Sequence, residues 1–104
     1  MDELWVNMTG EAFMRSIAHD NKAIVLDVRN LEEFSNGHLP NAVNIPFTQK
    51  KEFLSLDKKR SYYLYCQSGG RSALVAHFMT KAGFPKVINL NEGIQFWPLE
   101  ELSA

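Results

Sequence analysis

Apolar residues along the chain alternate between two rhythms, short unbroken runs and stretches spaced three to four apart. Leu4 to Val6 reads as a short edge strand. Thr9 then offers a helix N-cap, with Phe13 and Ile17 one turn apart on an amphipathic helix. Ala23 to Val28 (AIVLDV) is a β-branched and aliphatic run of strand length with Asp27 near its end, which suits a central parallel strand covered on both faces. Leu31 to Phe34 fits one short helix ended by Asn36 and Gly37, and Ala42 to Ile45 an extended segment stopped by Pro46. The polar stretch Thr48 to Arg60 reads as a surface helix plus loop anchored by Phe53, Leu54 and Leu56.

The second half repeats the alternation. Ser61 to Tyr65 (SYYLY) is strand-like and runs into Cys66 and a glycine-containing turn, Gln67 to Gly70. From Arg71 to Ala82 the residues Leu74, Val75, Phe78, Met79 and Ala82 follow helical spacing, with Gly83 and Pro85 as the stop. Lys86 to Leu90 predicts a further strand, and Ile94 to Leu102 a closing helix interrupted by Pro98. This order of elements predicts an α/β fold with a mainly parallel sheet and helices on both faces.

Composition narrows the function classes. At 104 residues the chain fits one compact domain, 1–104, and a hydrophobic fraction of 45% suits a globular protein. A net charge of -1 gives no field to gather polyanions, so nucleic acid is not an expected partner. No apolar run approaches the roughly 18 residues of a membrane span, and the N-terminus lacks the order of a secretory signal. A cytoplasmic monomer away from any membrane is the expectation. The basic run Lys58, Lys59 and Arg60 reads as a solvated loop.

The chain has one cysteine and three histidines, at 19, 38 and 77, without metal-ligand spacing, so neither a disulfide nor a metal is expected. A lone cysteine is most often a small buried hydrophobe. Cys66, however, stands where a strand ends and a helix begins, the place where ligands collect in open α/β sheets. In CQSGGRS the paired glycines Gly69 and Gly70 let successive backbone N–H groups turn inward as an anion nest, and the helix dipole adds positive potential. Arg71 brings a fixed cation. Together these favour a thiolate nucleophile.

The loop CQSGGRS, Cys66 to Ser72, resembles the active-site loop of the rhodanese family. LDVRNLEEFSNGHLPNAVNIP, from Leu26 to Pro46, resembles that family's upstream signature, with Asp27, Arg29, Glu33, Phe34, Gly37, His38 and Pro40 in place. VINLNEGIQFWP resembles the closing segment, with Gly93 and Trp97. One departure is Glu92, which stands where family members often have a glycine. The resemblance covers essentially the whole chain and implies a rhodanese-like fold with a sheet of about five strands.

It also implies a sulfurtransferase that works without a cofactor, through a persulfide on Cys66. The donor would be thiosulfate or another persulfide, and the acceptor cyanide, a thiol or a sulfur-carrier protein. Gln67, Ser68, Gly69, Gly70, Arg71 and Ser72 would form the substrate-binding loop. Arg71 would hold the loop or attract an anionic donor, Ser72 would cap the helix or bond the sulfur, and Ser68 could meet the donor. Asp27 and Arg29 would support the loop. His38 is read as a turn residue, and His19 and His77 as solvated ones.

Two other readings compete. A phosphatase or arsenate reductase of the same fold also uses a cysteine loop closed by arginine, but Cys66 and Arg71 enclose only four residues. That ring suits one sulfur atom better than a phosphate. A non-catalytic, protein-binding module of this fold would have no need of the cysteine that this chain keeps.

Overall fold

The computed structural model describes residues 5–97 and Leu102. Five strands, β1 (Val6–Met8), β2 (Ala23–Asp27), β3 (Val43–Asn44), β4 (Ser61–Tyr65) and β5 (Val87–Leu90), form one sheet in the order β1-β5-β4-β2-β3. Every pairing is parallel. Parallel neighbours need crossover connections. Here they carry α1 (Gly10–Ala18), α2 (Leu31–Ser35), α3 (Lys50–Leu54) and α4 (Gly70–Lys81). Among the described residues no helix is long and apolar enough to cross a membrane.

The sheet separates two cores, and the strands' period of two assigns side chains between them. From β4, Tyr62 and Leu64 pack with Phe53 of α3 and Val75, Ala76 and Met79 of α4. Tyr63 and Tyr65 face the other way and pack with Phe13 of α1, Ile88 and Leu90. All five residues of β4 are buried, which is why an aromatic run sits comfortably in the middle of the sheet. β2 is an interior strand, but the middle position belongs to β4.

The polar tips of these tyrosines find partners. The Tyr63 hydroxyl donates to Asp20 Oδ2 at 2.8 Å, and the Tyr65 hydroxyl accepts from the Leu39 N–H at 3.0 Å. Burial of an aromatic ring contributes most when its hydroxyl is satisfied in this way.

Several expectations shift. The edge strand begins later than expected, at Val6, and Leu4 lies outside the described residues. Thr9 occupies the N-cap of α1, yet its side chain makes no capping bond. Leu54 is exposed instead of anchoring α3, and Leu74 of α4 is 65% exposed, although both fall at apolar positions. The chain from 91 to 97 forms successive turns in place of a helix, and residues 98–101 lie outside the described residues.

The register aligns Leu26 with Leu64 and Asp27 with Tyr65, so β2 and β4 end side by side. Their exits, Val28 to Asn30 and Cys66 to Gly70, therefore leave the same carboxyl edge. β5 ends there too, where Asn91 and Gly93 turn back over the loop.

Candidate active site

Cys66 follows directly on β4, and the next turn winds into α4. Gly69 is the N-cap of α4 with φ 97°, a left-handed conformation that side chains rarely adopt. The same position is sterically closed, since a Cβ there would lie 2.1 Å from the Asn91 carbonyl oxygen. Gly93 repeats the arrangement from the other side. It has φ 69°, and a Cβ on it would lie 2.3 Å from the Gln67 carbonyl oxygen. Two left-handed glycines thus let the loop and the 91–95 turn approach backbone to backbone.

That approach is fixed by hydrogen bonds. The Ile94 N–H donates to the Cys66 carbonyl at 3.1 Å and the Gln95 N–H to the Gln67 carbonyl at 3.0 Å.

The Cys66 sulfur is almost fully buried and sits within a cradle of donors. The Gly69 N–H donates to Sγ at 3.1 Å, and the Ser72 N–H and Ser72 hydroxyl each donate at 3.4 Å. N–H groups in the first turn of a helix have no partner within it, which makes them natural donors to an anion. Burial pushes the Cys66 thiol up. The bonds from Ser72, Gly69 and the Ser68 backbone outweigh it, and the net shift is below the ordinary cysteine value. A stabilised thiolate is the chemical consequence.

Ser72 is therefore a sulfur ligand and not a cap, since the cap position belongs to Gly69. Its hydroxyl also lies 3.3 Å from the Gly69 carbonyl, which shapes the loop. Ser68 is exposed, and what it brings to the sulfur is its backbone N–H. Gly70 is different from Gly69, because a Cβ on Gly70 would meet nothing within 4 Å.

Arg71 turns towards α2. Its Nη1 and Nη2 donate to Glu33 Oε1 at 2.9 Å and Oε2 at 3.0 Å, a two-pronged pair that ties the loop to that helix. Of the two roles expected for Arg71, this geometry fits holding the loop. The Arg71 bonds hold the Glu33 carboxyl below its usual range against the opposing effect of burial. Glu33 also completes a capping box with Asn30, whose side chain accepts the Glu33 N–H.

Asp27 and Arg29 support the loop from beneath. Arg29 Nε lies 3.0 and 3.1 Å from the two Asp27 oxygens and Nη2 lies 2.6 Å from Oδ2, with the carboxylate fully buried. The remaining guanidinium donors reach the Gly37 carbonyl at 2.6 Å and Gln67 Oε1 at 3.4 Å. One arginine thereby links β2, the turn after α2 and the cysteine loop. Burial works against the Arg29 cation, but Asp27 outweighs it and its pKa is raised.

Glu33 was singled out in the sequence only as part of a motif, and Asn89 not at all. Asn89 is buried on β5. Its amide donates to Asn7 Oδ1 at 2.9 Å and lies 3.5 Å from the Gly69 carbonyl. The only advance signal for it was a polar residue inside an otherwise apolar strand. His38 stacks on Phe34 with centroids 3.9 Å apart and its Nδ1 lies 3.0 Å from the Leu39 carbonyl; it was expected in a turn and stands instead at an isolated bridge position between two turns.

A parallel α/β sheet with a cysteine cradled at the carboxyl edge by a helix N-terminus defines a class of protein that stabilises an anionic sulfur at that point. The family model for the rhodanese-like domain matches residues 11–100, and the chain belongs to that family. Among relatives, it is 39% identical over 88 residues to YrkF of Bacillus subtilis, which is provisionally named a sulfur carrier protein. That match takes in 84% of this chain and 48% of YrkF, so the chain spans about half the length of that relative. YtwF of the same organism, provisionally named a sulfurtransferase, is 34% identical over 87 residues, covering 83% of this chain and 84% of YtwF. The crystal structure of a rhodanese-like domain protein from Staphylococcus aureus superposes with a TM-score of 0.82 at 30% identity, over 93% of this chain and 95% of that one.

Proposed function

We propose that the protein is a cytoplasmic sulfurtransferase in which Cys66 accepts a sulfane sulfur, holds it as a persulfide and passes it to a nucleophilic acceptor. The observation that carries this reading is the cradle itself, with three donors converging on one buried sulfur. The names of the relatives support it.

In the first half-reaction the Cys66 thiolate attacks the outer sulfur of the donor. With thiosulfate, a new sulfur–sulfur bond forms at Cys66, the old one breaks, and sulfite leaves with the electron pair. The terminal sulfur now carries the negative charge, at the position the loop's N–H groups address. In the second half-reaction an acceptor such as cyanide, a thiol or a sulfur-carrier protein attacks that terminal sulfur and the Cys66 thiolate departs. Sulfur is carried covalently throughout, so the reaction needs no cofactor. Because the loop already holds the thiolate, no separate base is required.

Arg71 separates this reading from a phosphatase. A transferring phosphate needs cationic donors directed into the ring. Here the guanidinium is turned outward onto Glu33.

The test is thiocyanate formation from thiosulfate and cyanide, read as kcat/KM for thiosulfate against pH. That parameter follows the free enzyme, and the reactive form is the thiolate, so the rate rises with pH through the Cys66 pKa. Since that pKa is lowered, half-maximal rate is expected at a pH below the ordinary cysteine value. A midpoint at or above that value, or Cys66-dependent hydrolysis of an aryl phosphate without thiocyanate, contradicts the proposal.

A further inference from the structure

The apolar strand β5 (VINL) carries one polar residue, Asn89, which is 1% exposed. Val87 packs in the core that holds α4, while Ile88 and Leu90 pack in the other, so the strand's period of two turns Asn89 towards α4. The register sets it level with Leu64 of β4 on one side and Asn7 of β1 on the other. An aliphatic side chain would fill this position without the penalty of stripping an amide of water. The amide therefore points to a role beyond packing.

Its hydrogen bonds lead to the cysteine loop. Nδ2 donates to Asn7 Oδ1 at 2.9 Å and to the Gly69 carbonyl at 3.5 Å. A carbonyl can only accept, so the nitrogen is the end that faces the loop. The other end, Oδ1, is buried and accepts from no group among the described residues. The side chain leaves its acceptor unmet while placing both donors.

Gly69 is where the loop most needs a hold from outside. It combines a left-handed backbone with no side chain, and a Cβ on the neighbouring Gly70 would meet nothing within 4 Å. The Gly69 N–H makes the shortest bond to Sγ, 3.1 Å. Its carbonyl accepts the Ala73 N–H at 3.1 Å and lies 3.3 Å from the Ser72 hydroxyl. The peptide joining Gly69 to Gly70 is planar and trans, so the Gly70 N–H points opposite to that carbonyl. Fixing the carbonyl from β5 thus fixes the Gly70 N–H outward from the helix N-terminus, the side on which the sulfur lies.

Taking Cys66 as the sulfur carrier, as proposed above, we infer that Asn89 is a positioning residue of the sulfur cradle. Held by Asn7, its amide pins the Gly69 carbonyl, which keeps the Gly69 N–H on Sγ and aims the Gly70 N–H at the sulfur that Cys66 receives. Asn89 acts through Gly69 and not on the sulfur itself.

Asn89→Leu and Asn89→Val test this, since both remove the amide and leave β5 wholly apolar. Neither strands a buried group, because the Gly69 carbonyl keeps the Ala73 N–H, Asn7 is exposed to water and the unmet Oδ1 disappears. Thermal unfolding should give a Tm within a few degrees of the unaltered protein, or above it. The Cys66 midpoint, read from the pH dependence of alkylation by iodoacetamide, should nevertheless rise by about half a pH unit or more, the scale of weakening one donor to a thiolate. Above both midpoints alkylation should return to the unaltered rate. There kcat/KM for loading from thiosulfate should stay about threefold or more lower, because the Gly70 N–H is no longer aimed.

An unmoved midpoint in the folded variants overturns the inference, and a fall in Tm beside it assigns Asn89 to the fold alone. A midpoint that rises only together with a fall in Tm above about 10 °C reports a loosened fold and overturns it equally. Loading at the unaltered rate above both midpoints removes the Gly70 part alone. A raised midpoint in a protein that takes no sulfur from thiosulfate or from glutathione persulfide, with or without the substitutions, leaves the hold on the thiolate standing and overturns the sulfurtransferase reading.

Discussion

Asp27→Asn is expected to destabilise the protein by about 3 to 5 kcal/mol, because it leaves the Arg29 cation in a buried site without its counter-charge. Asp27 is fully buried and accepts from the Arg29 backbone as well as from Nε and Nη2. Against a total stability of roughly 5 to 15 kcal/mol, that loss is large. For a domain of this size it corresponds to a fall in Tm of about 15 to 30 °C. Thermal unfolding followed by circular dichroism measures it, and a fall of under about 5 °C would mean that the pair does not hold the loop. The consequence should reach the site through Gln67 and the Gly37 carbonyl, which Arg29 also holds.

The second large effect separates two adjacent glycines. Gly69→Ala forces a methyl group into a left-handed backbone and against the Asn91 carbonyl, where the Cβ would stand at 2.1 Å. Strained conformations of this kind cost about 1 to 3 kcal/mol before any clash is counted. Either Asn91 moves or the loop does, and in both cases the Gly69 N–H leaves the sulfur. Gly70→Ala meets open space and should leave stability within about 0.5 kcal/mol or raise it slightly, since alanine favours the helix. Reactivity of Cys66 towards iodoacetamide near neutral pH should drop for Gly69→Ala as the thiolate loses a donor. Equal effects of the two substitutions on stability would show that the loop is not held by the Asn91 contact.

How far the sequence reveals this depends on the range of the interaction. β2 and β4 were legible because a strand buried on both faces needs a largely apolar run, and AIVL before Asp27 and YYLY after Ser61 are such runs. The cysteine loop was legible because its parts are consecutive. Strand, sulfur, paired glycines and helix start all fall between Tyr65 and Ser72, so the cradle follows from local geometry. The destination of Arg71 did not, since Glu33 lies far off in the chain and nothing in either segment names the other.

The closing segment failed for the same reason. Apolar spacing from Ile94 onward is consistent with a helix, but Gly93 turns left-handed and the next two N–H groups bind the carbonyls of Cys66 and Gln67. Leu74 shows the limit of periodicity. Spacing of three to four marks the apolar side of a helix, yet cannot say how wide a stripe its neighbours cover. Val75 and Met79 are buried in the core, whereas Leu74 is 65% exposed.

The most direct measurement is intact-protein mass spectrometry after incubating the reduced protein with excess thiosulfate. Cys66 is the only cysteine in the chain, so the site of any adduct is unambiguous. One added sulfur atom is expected, removed by cyanide with release of thiocyanate and absent from Cys66→Ser. An unchanged mass, or the same adduct on Cys66→Ser, would contradict the assignment of Cys66 as the sulfur carrier.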